Sequence, residues 1–126
     1  MNKLIIFLLL ILLLSCSSNE NEKISILGAD DLETQMIEAY KEGYRELERG
    51  DVIYATRKFN EAELLYPQSE WAPKAVLMSA YAFYSQNYYE RSIGELERFI
   101  KKYPKHKNMD YAYFLLAMCY YETIID

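Results

Sequence analysis

Similar segments recur every 37 residues along this chain, and this repeat limits the folds that the chain can adopt. The phrases Leu65-Tyr66-Pro67 and Lys102-Tyr103-Pro104 place two prolines 37 positions apart. Small and large residues recur at the same spacing. The aligned positions are Gly43, Ala80 and Ala117; Leu47, Tyr84 and Tyr121; Ala55 and Ser92; and Phe59 and Leu96. A period in this range is typical of repeat units that bury their faces against neighbouring units.

The residues within each unit favour helices. Ala, Leu, Glu, Lys and Arg are frequent from Asp31 onward, and no strong alternation of β-branched residues is present. The predicted helices span residues 31–49, 52–66, 72–86, 88–103 and 108–124. Asp51 is placed to cap the second helix, and Pro73 suits the first turn of the third.

Further markers define the type of unit. In the first unit they are Gly43, the turn Gly50-Asp51, Ala55, Phe59, Ala62 and Pro67; in the second they are Ala80, Phe83, Ser92, Leu96 and Pro104. This pattern resembles the tetratricopeptide repeat, a helix–turn–helix unit of about 34 residues. The resemblance implies an all-α fold, an α-solenoid wound as a right-handed superhelix of about two and a half repeats over residues 31–126. The units cover about residues 36–69, 73–106 and an incomplete 110–126.

The last predicted helix has an apolar side that no following helix would cover. Tyr113, Leu116, Tyr120 and Ile124 lie on that side. A repeat unit needs neighbours to bury its faces, and at least three repeats are usual. We therefore expect this chain to be part of a longer protein, with an exposed apolar face on this helix.

The repeat resemblance also implies a peptide-binding groove, because the first helix of each unit lines the concave side of such superhelices. The implied groove positions are Tyr40, Tyr44, Leu47, Leu77, Tyr81, Tyr84, Phe114, Met118 and Tyr121. Tyrosine presents a large rigid ring with a polar tip at low entropic cost, which suits a groove that grips an extended peptide. The chain holds 13 tyrosines. The alternative is that these rings pack between helices and are exposed only incidentally.

The N-terminus indicates export. Met1-Asn2-Lys3 precedes an apolar run over residues 4–14, which is about half the length needed to span a bilayer core. Residues 1–15 therefore fit a signal peptide. Leu13-Leu14-Ser15-Cys16 resembles the bacterial lipobox, which implies a diacylglycerol and an N-acyl chain on Cys16; an ordinary cleaved signal is the alternative. Residues 16–30 would then be the lipidated cysteine and a flexible tether.

Composition excludes several other classes of function. Fourteen Lys and Arg against 19 Asp and Glu give a net charge of −5, which disfavours nucleic acid as a partner. One His and two Cys exclude an ordinary Cys/His zinc site and leave little material for nucleophilic catalysis. We predict no catalytic residue, no metal site, no cofactor beyond the acyl groups on Cys16, and no enzyme activity. His106 is interpreted as a turn residue and Cys119 as a core residue.

Two sequence motifs indicate which family of repeat proteins the chain resembles. Tyr66-Pro67-x-Ser69-x-Trp71-Ala72 is one, and the run from Glu97-Arg98-Phe99-Ile100 through His106 to Asp110-Tyr111-Ala112-Tyr113 is another. With the lipobox they resemble the BamD (YfiO) family, the tetratricopeptide lipoprotein of the outer-membrane β-barrel assembly machinery. The similarity covers about residues 31–126 and corresponds to the N-terminal half of a five-repeat protein.

This resemblance implies a non-catalytic scaffold, lipid-anchored on the periplasmic face of the outer membrane. Ser17 agrees with that location, because an Asp after the lipidated cysteine commonly retains such proteins at the inner membrane. The implied partners are unfolded outer-membrane proteins, the central barrel subunit and the other lipoproteins of the machinery. The alternatives are another tetratricopeptide lipoprotein, such as a secretin pilotin for pilus biogenesis, and an enzyme whose catalytic domain lies beyond Asp126.

Overall fold

The computed structural model describes residues 28–125, and these form five helices without a strand. The helices are α1 (Ala29–Arg49), α2 (Val52–Leu65), α3 (Trp71–Ser85), α4 (Tyr89–Lys102) and α5 (Met109–Ile125). Each packs against the next in an α-solenoid of the tetratricopeptide type, which confirms the predicted all-α class. The predicted helix ends are correct to within two residues. The signal peptide over residues 1–15, Cys16 and most of the tether lie outside the described residues.

Local sequence determines where the helices begin and end. Gly50 terminates α1 in the left-handed region at φ 87°, where a side chain would be strained. Asp51 caps α2 as predicted, because its Oδ1 accepts a hydrogen bond of 3.0 Å from the amide of Tyr54. Pro73 occupies the first turn of α3, also as predicted. Across residues 28–125, no helix is both long and apolar enough to cross a membrane.

Two hydrophobic cores hold the helices together, and α3 contributes to both. The first core lies among α1, α2 and α3, and includes Met36, Ala39, Ala55, Phe59, Ala62, Ala75 and Phe83. The second lies among α3, α4 and α5, and includes Val76, Ala80, Leu96, Phe99, Ala112, Leu115 and Cys119. Since α3 shares both cores, neighbouring units are joined by continuous apolar packing, as a solenoid requires.

Of the three small residues aligned by the 37-residue period, two lie at close contacts between helices. A Cβ added at Gly43 would meet the Phe59 ring at 3.0 Å and the Ala55 carbonyl oxygen at 3.1 Å, so only glycine allows this approach of α1 and α2. Ala80 is fully buried, and its carbonyl accepts a 2.8 Å hydrogen bond from the hydroxyl of Ser92. The third aligned residue, Ala117, is exposed, because no helix within residues 28–125 covers that side of α5.

The expected apolar face of α5 is present with one correction. Tyr113, Tyr120 and Ile124 are exposed, as predicted. Leu116 instead packs against the second core, so the predicted exposure of this residue is wrong. Leu116 follows Leu115, which is buried in that core, and its side chain is long enough to reach the edge of the same contact.

A cluster of ionic and hydrogen-bonded side chains joins the second helices of the first two units. Glu63 on α2 is buried, and its carboxylate accepts hydrogen bonds from Arg98 Nη1 at 2.5 Å, Lys102 Nζ at 2.8 Å and the Tyr103 hydroxyl at 2.9 Å. Arg98 also pairs with Glu95 at 2.6 Å. Burial alone would raise the pKa of Glu63, but the hydrogen bonds from Lys102 and Arg98 outweigh it and lower that pKa. We call Glu63, Arg98, Lys102 and Tyr103 the Glu63 cluster.

Candidate peptide-binding site

A cavity of about 380 Å³ lies between the first helices of the three units. Its residues are Tyr40 from α1, Lys74, Leu77, Met78 and Tyr81 from α3, Asn108 before α5 and Tyr111 within α5. The α3 residues are spaced by three and four positions, so they form one stripe along that helix. We call this cavity the aromatic cavity, because three tyrosines from three helices surround an aliphatic floor.

One ring of the aromatic cavity, that of Tyr40, is held by two neighbouring rings. The Tyr40 ring meets the rings of Phe59 at 5.4 Å and Trp71 at 5.2 Å between centroids, both edge to face. Burial raises the pKa of the Tyr40 and Tyr111 hydroxyls, and the nearby hydroxyls of Tyr81 and Tyr84 add to the effect at Tyr111. Both phenols therefore remain protonated at neutral pH and can donate hydrogen bonds.

The structure brings three of the nine predicted groove residues into this cavity. Tyr40 and Tyr81 are partly exposed there, whereas Leu77 is only 5 % exposed and forms part of the floor. The other six lie outside it. Tyr44, Phe114 and Tyr121 are exposed elsewhere on α1 and α5, Leu47 and Tyr84 pack against the two cores, and Met118 is half-buried on α5.

Four cavity residues were not predicted: Lys74, Met78, Asn108 and Tyr111. Two of them carry a signal in the sequence, because Tyr111 lies 37 positions after Lys74 and occupies the same place in its unit. The nine predicted groove residues occupy three equivalent positions of the repeat unit. Lys74 and Tyr111 share a fourth equivalent position, which the prediction did not include. Met78 and Asn108 show no comparable signal.

A second cavity of about 260 Å³ adjoins the N-terminal end of α3, and we call it the basic pocket. Its residues are Glu70, Pro73, Lys74, Lys105, His106 and Lys107. His106 lies in the turn between α4 and α5, as predicted, and its ring meets Phe99 edge to face at 5.4 Å. Burial lowers the pKa of His106, and the charges of Lys107 and Lys74 lower it further. No cluster of three or more His, Cys, Asp or Glu side chains suited to a metal ion occurs within the described part of the chain.

Comparison with known proteins identifies the family. Residues 32–126 match the model of a protein family described as YfiO, outer membrane lipoprotein. This chain belongs to the YfiO family. This match confirms the family that the sequence motifs indicate. The matched region corresponds to the N-terminal part of a BamD-like protein.

Individual relatives carry one shared name. The chain is 41 % identical over 87 residues to the outer membrane protein assembly factor BamD of Caulobacter vibrioides, which covers 69 % of this chain and 28 % of that protein. The BamD of Rickettsia prowazekii is 31 % identical over 98 residues, covering 78 % of this chain and 39 % of that protein. The BamD of Neisseria gonorrhoeae is 32 % identical over 79 residues, or 63 % of this chain and 30 % of that protein. The chain thus spans about a third of the length of these curated relatives.

Proposed function

We propose that this chain is the peptide-recognising part of a lipoprotein scaffold that assembles β-barrel proteins in the outer membrane. Membership of the YfiO family supports a location at the outer membrane, and the name of the relatives supports a role in assembly there. The observation that carries the proposal is the aromatic cavity, which lies where the first helices of three successive units meet.

The proposed mechanism is binding without chemistry. A segment of an unfolded barrel protein lies along α3 and places an apolar or aromatic side chain over Leu77 and Met78. Burial of that side chain provides most of the binding free energy. The hydroxyls of Tyr40, Tyr81 and Tyr111 hold the polar backbone of the segment, which an unfolded strand exposes along its length.

Lipidation of Cys16 would anchor this site at the periplasmic face of the outer membrane. Two or three acyl chains give a stable anchor where one would be marginal. Anchoring confines the site near the membrane and raises its effective concentration toward substrates and partners there. The proposed partners are unfolded outer-membrane proteins, the central barrel subunit and other lipoproteins of the assembly machinery.

Binding to a barrel-protein peptide tests the proposal. A fluorescently labelled peptide with the sequence of the last strand of a barrel protein is titrated with the full chain in detergent. Tyr81→Ala and Tyr111→Ala each remove a ring from the aromatic cavity, and we expect each to weaken binding about tenfold, because a buried aromatic contact contributes roughly 1–2 kcal/mol. Tyr84→Ala, at a predicted groove position that packs on the second core, should weaken binding less.

Tyr113→Ala is the matched control, because Tyr113 lies on α5 two residues from Tyr111 and does not line the cavity. It should bind the peptide like the parent chain. Circular dichroism verifies that each variant keeps its helices. Equal affinity of the parent chain and both cavity variants, with helicity intact, would show that the aromatic cavity does not bind the peptide.

The partner distinguishes this role from that of a secretin pilotin, which would share the anchor and the repeats. Cross-linking and affinity purification of the membrane-anchored protein in its native cell should recover the central barrel subunit. Recovery of a secretin in its place would favour the pilotin. The shared name of the relatives favours the barrel assembly role.

A further inference from the structure

The five helices have two distinct ends, because short connections make consecutive helices run in opposite directions. The helices α1, α3 and α5 begin at the end where α2 and α4 finish. Two cavities agree with this arrangement: Thr34, early in α1, shares a lining with Leu65 at the end of α2, and Pro73 of α3 shares one with Lys105. We call this the Gly28 end, because Gly28 precedes α1 there.

A group of lysines lies at the Gly28 end, on α3, on the last turn of α4 and in the connection from α4 to α5. Its members are Lys74, Lys101, Lys102, Lys105 and Lys107. Lys102 pairs with Glu63 at 2.8 Å, whereas the other four form no ion pair with an acidic side chain anywhere in residues 28–125. These four are called the lysine patch. All of them are exposed except the half-buried Lys74.

Few carboxylates offset the charge of the lysine patch. Residues 66–74 and 101–110 contain the patch and two acidic residues, Glu70 and Asp110. The acidic residues at the start of α1, such as Asp31, are two helices away, or about 20 Å. That distance exceeds the Debye length of about 8 Å at physiological salt, so they screen the patch little. The patch is therefore a local excess of positive charge on a chain with a net charge of −5.

We propose that the lysine patch lies against the headgroups of an anionic phospholipid membrane. Lys74, Lys105 and Lys107 line the basic pocket, which can admit the phosphate of one lipid, and Lys101 adds to the positive field around it. This inference rests on the proposed lipid anchor at Cys16 and adds the orientation of the solenoid. The Gly28 end faces the membrane, and the opposite end points away from it.

The position of the anchor favours a lipid surface over an acidic protein as the occupant. Twelve residue steps separate Cys16 from Gly28, so the anchor lies at most about 40 Å from the start of α1. The lysine patch, about 20 Å across the same end, is within that reach. The opposite end is farther by the length of a helix, about 22 Å for the 15 residues of α3. Basic clusters close to a membrane anchor typically bind anionic lipids, and an acidic protein would not need to bind at the end nearest the anchor.

Acetylation of individual lysines on lipid nanodiscs tests the inference. The full lipidated chain is placed on discs of phosphatidylcholine alone or on discs that also contain phosphatidylglycerol. A neutral acetylating reagent is added briefly, and mass spectrometry measures the modification of each lysine. We expect Lys101, Lys105 and Lys107 to react about fivefold more slowly on the anionic discs at low salt. This protection should shrink at high salt. Lys41, which is 59 % exposed near the middle of α1, is the internal control and should react equally on both discs.

Two double variants separate local contact from total charge. Lys105→Met combined with Lys107→Met should reduce the protection of Lys101 to less than about twofold. Arg45→Met combined with Arg49→Met is the matched control, because it removes two exposed positive charges from the opposite end. That variant should leave the protection of Lys101 unchanged. Circular dichroism verifies that both variants keep their helices.

The outcomes separate this inference from the proposed anchor. Equal acetylation of the lysine patch on the two kinds of disc, with the protein still attached, would overturn the inference and leave the anchor in place. Equal protection of Lys41 and the patch would also overturn it. If inorganic phosphate protects the patch on neutral discs, or if only added assembly partners protect it, the occupant is a free anion or an acidic protein and the inference is wrong. Release of the protein from both discs would overturn the anchor together with the inference.

Discussion

Replacing Glu63 by Gln should destabilise the fold more than any other exchange of one acidic residue for its amide in the described chain. Among the acidic side chains of residues 31–124, Glu63 is the one that is buried, at 3 % exposure, and it accepts hydrogen bonds from three groups of the next unit. Gln keeps the shape and one acceptor oxygen. It removes the charge and introduces two N–H donors that face other donors.

The expected loss follows from the exposure of the partners. Breaking a fully buried ion pair costs about 3–5 kcal/mol. Here the side chains of Arg98 and Lys102 are 37 % and 45 % exposed, so both cations remain partly hydrated when the carboxylate is lost. Arg98 also keeps its contact with Glu95. We therefore expect Glu63→Gln to lower the free energy of unfolding by about 2 kcal/mol, which corresponds to a decrease in Tm of roughly 8 °C or more for a domain of this size.

Urea unfolding followed by circular dichroism measures this loss. Glu61→Gln is the matched control, because Glu61 is on the same helix, is exposed, and forms an ion pair with Lys58 at 2.9 Å. That change should alter the free energy of unfolding by less than about 0.5 kcal/mol. If Glu63→Gln is as mild as Glu61→Gln, the Glu63 cluster does not stabilise the junction of the two units and the reasoning fails.

The same cluster predicts a dependence on acid pH. The folded-state pKa of Glu63 lies below its ordinary value of 4.5, so the unfolded chain binds this proton more readily than the folded chain. The stabilisation is therefore complete above about pH 4.5 and is lost as the pH falls through the folded-state pKa. The difference in stability between the parent chain and Glu63→Gln should be full at pH 7 and should shrink below pH 4.5. A difference independent of pH would assign the effect to packing.

Two further substitutions test the helix contacts and caps. Gly43→Ala should destabilise the fold by about 1–3 kcal/mol in thermal unfolding, because the added Cβ would press on the Phe59 ring at 3.0 Å. Gly94→Ala is the control, because Gly94 has open space around it on α4. It should be neutral or stabilising by about 0.5–1 kcal/mol. Asp51→Ala removes the acceptor for the amide of the third residue of α2 and should cost about 1 kcal/mol in the same assay, whereas Asp51→Asn should recover most of the loss.

The helices and their pairing could be predicted because local signals and the repeat agree. Gly50 and Asp51 mark a turn by chemistry that acts within a few residues, and the structure places the turn there. The 37-residue period then predicts the same helix–turn–helix arrangement in the next unit. Ala117 shows the limit of this reasoning, because an aligned small residue is buried only where a neighbouring helix covers it.

The site was harder to predict because a helical face does not reveal which of its residues border a cavity. Tyr44 and Tyr81 are aligned by the repeat, yet only Tyr81 lines the aromatic cavity. The Glu63 cluster was missed for a related reason. Glu63 follows Ala62 in an otherwise apolar stretch, and its partners are 35 to 40 residues away. Those separations bracket the repeat period, so a search for opposite charges one period apart would have found them.

The many tyrosines have a physical explanation in the alanine-rich cores. Ala55, Ala62, Ala75, Ala80 and Ala112 are fully buried, which lets the helix backbones approach closely and fills the cores without large side chains from every position. Phe59, Phe83 and Phe99 fill the space that the alanines leave, and the Glu63 cluster adds hydrogen bonds between the second helices of the first two units. Tyrosines on the first helices can remain partly exposed at little cost to the fold. A chain built in this way can leave aromatic rings on the surface of its first helices, because its stability comes mainly from contacts on the other faces of the same helices.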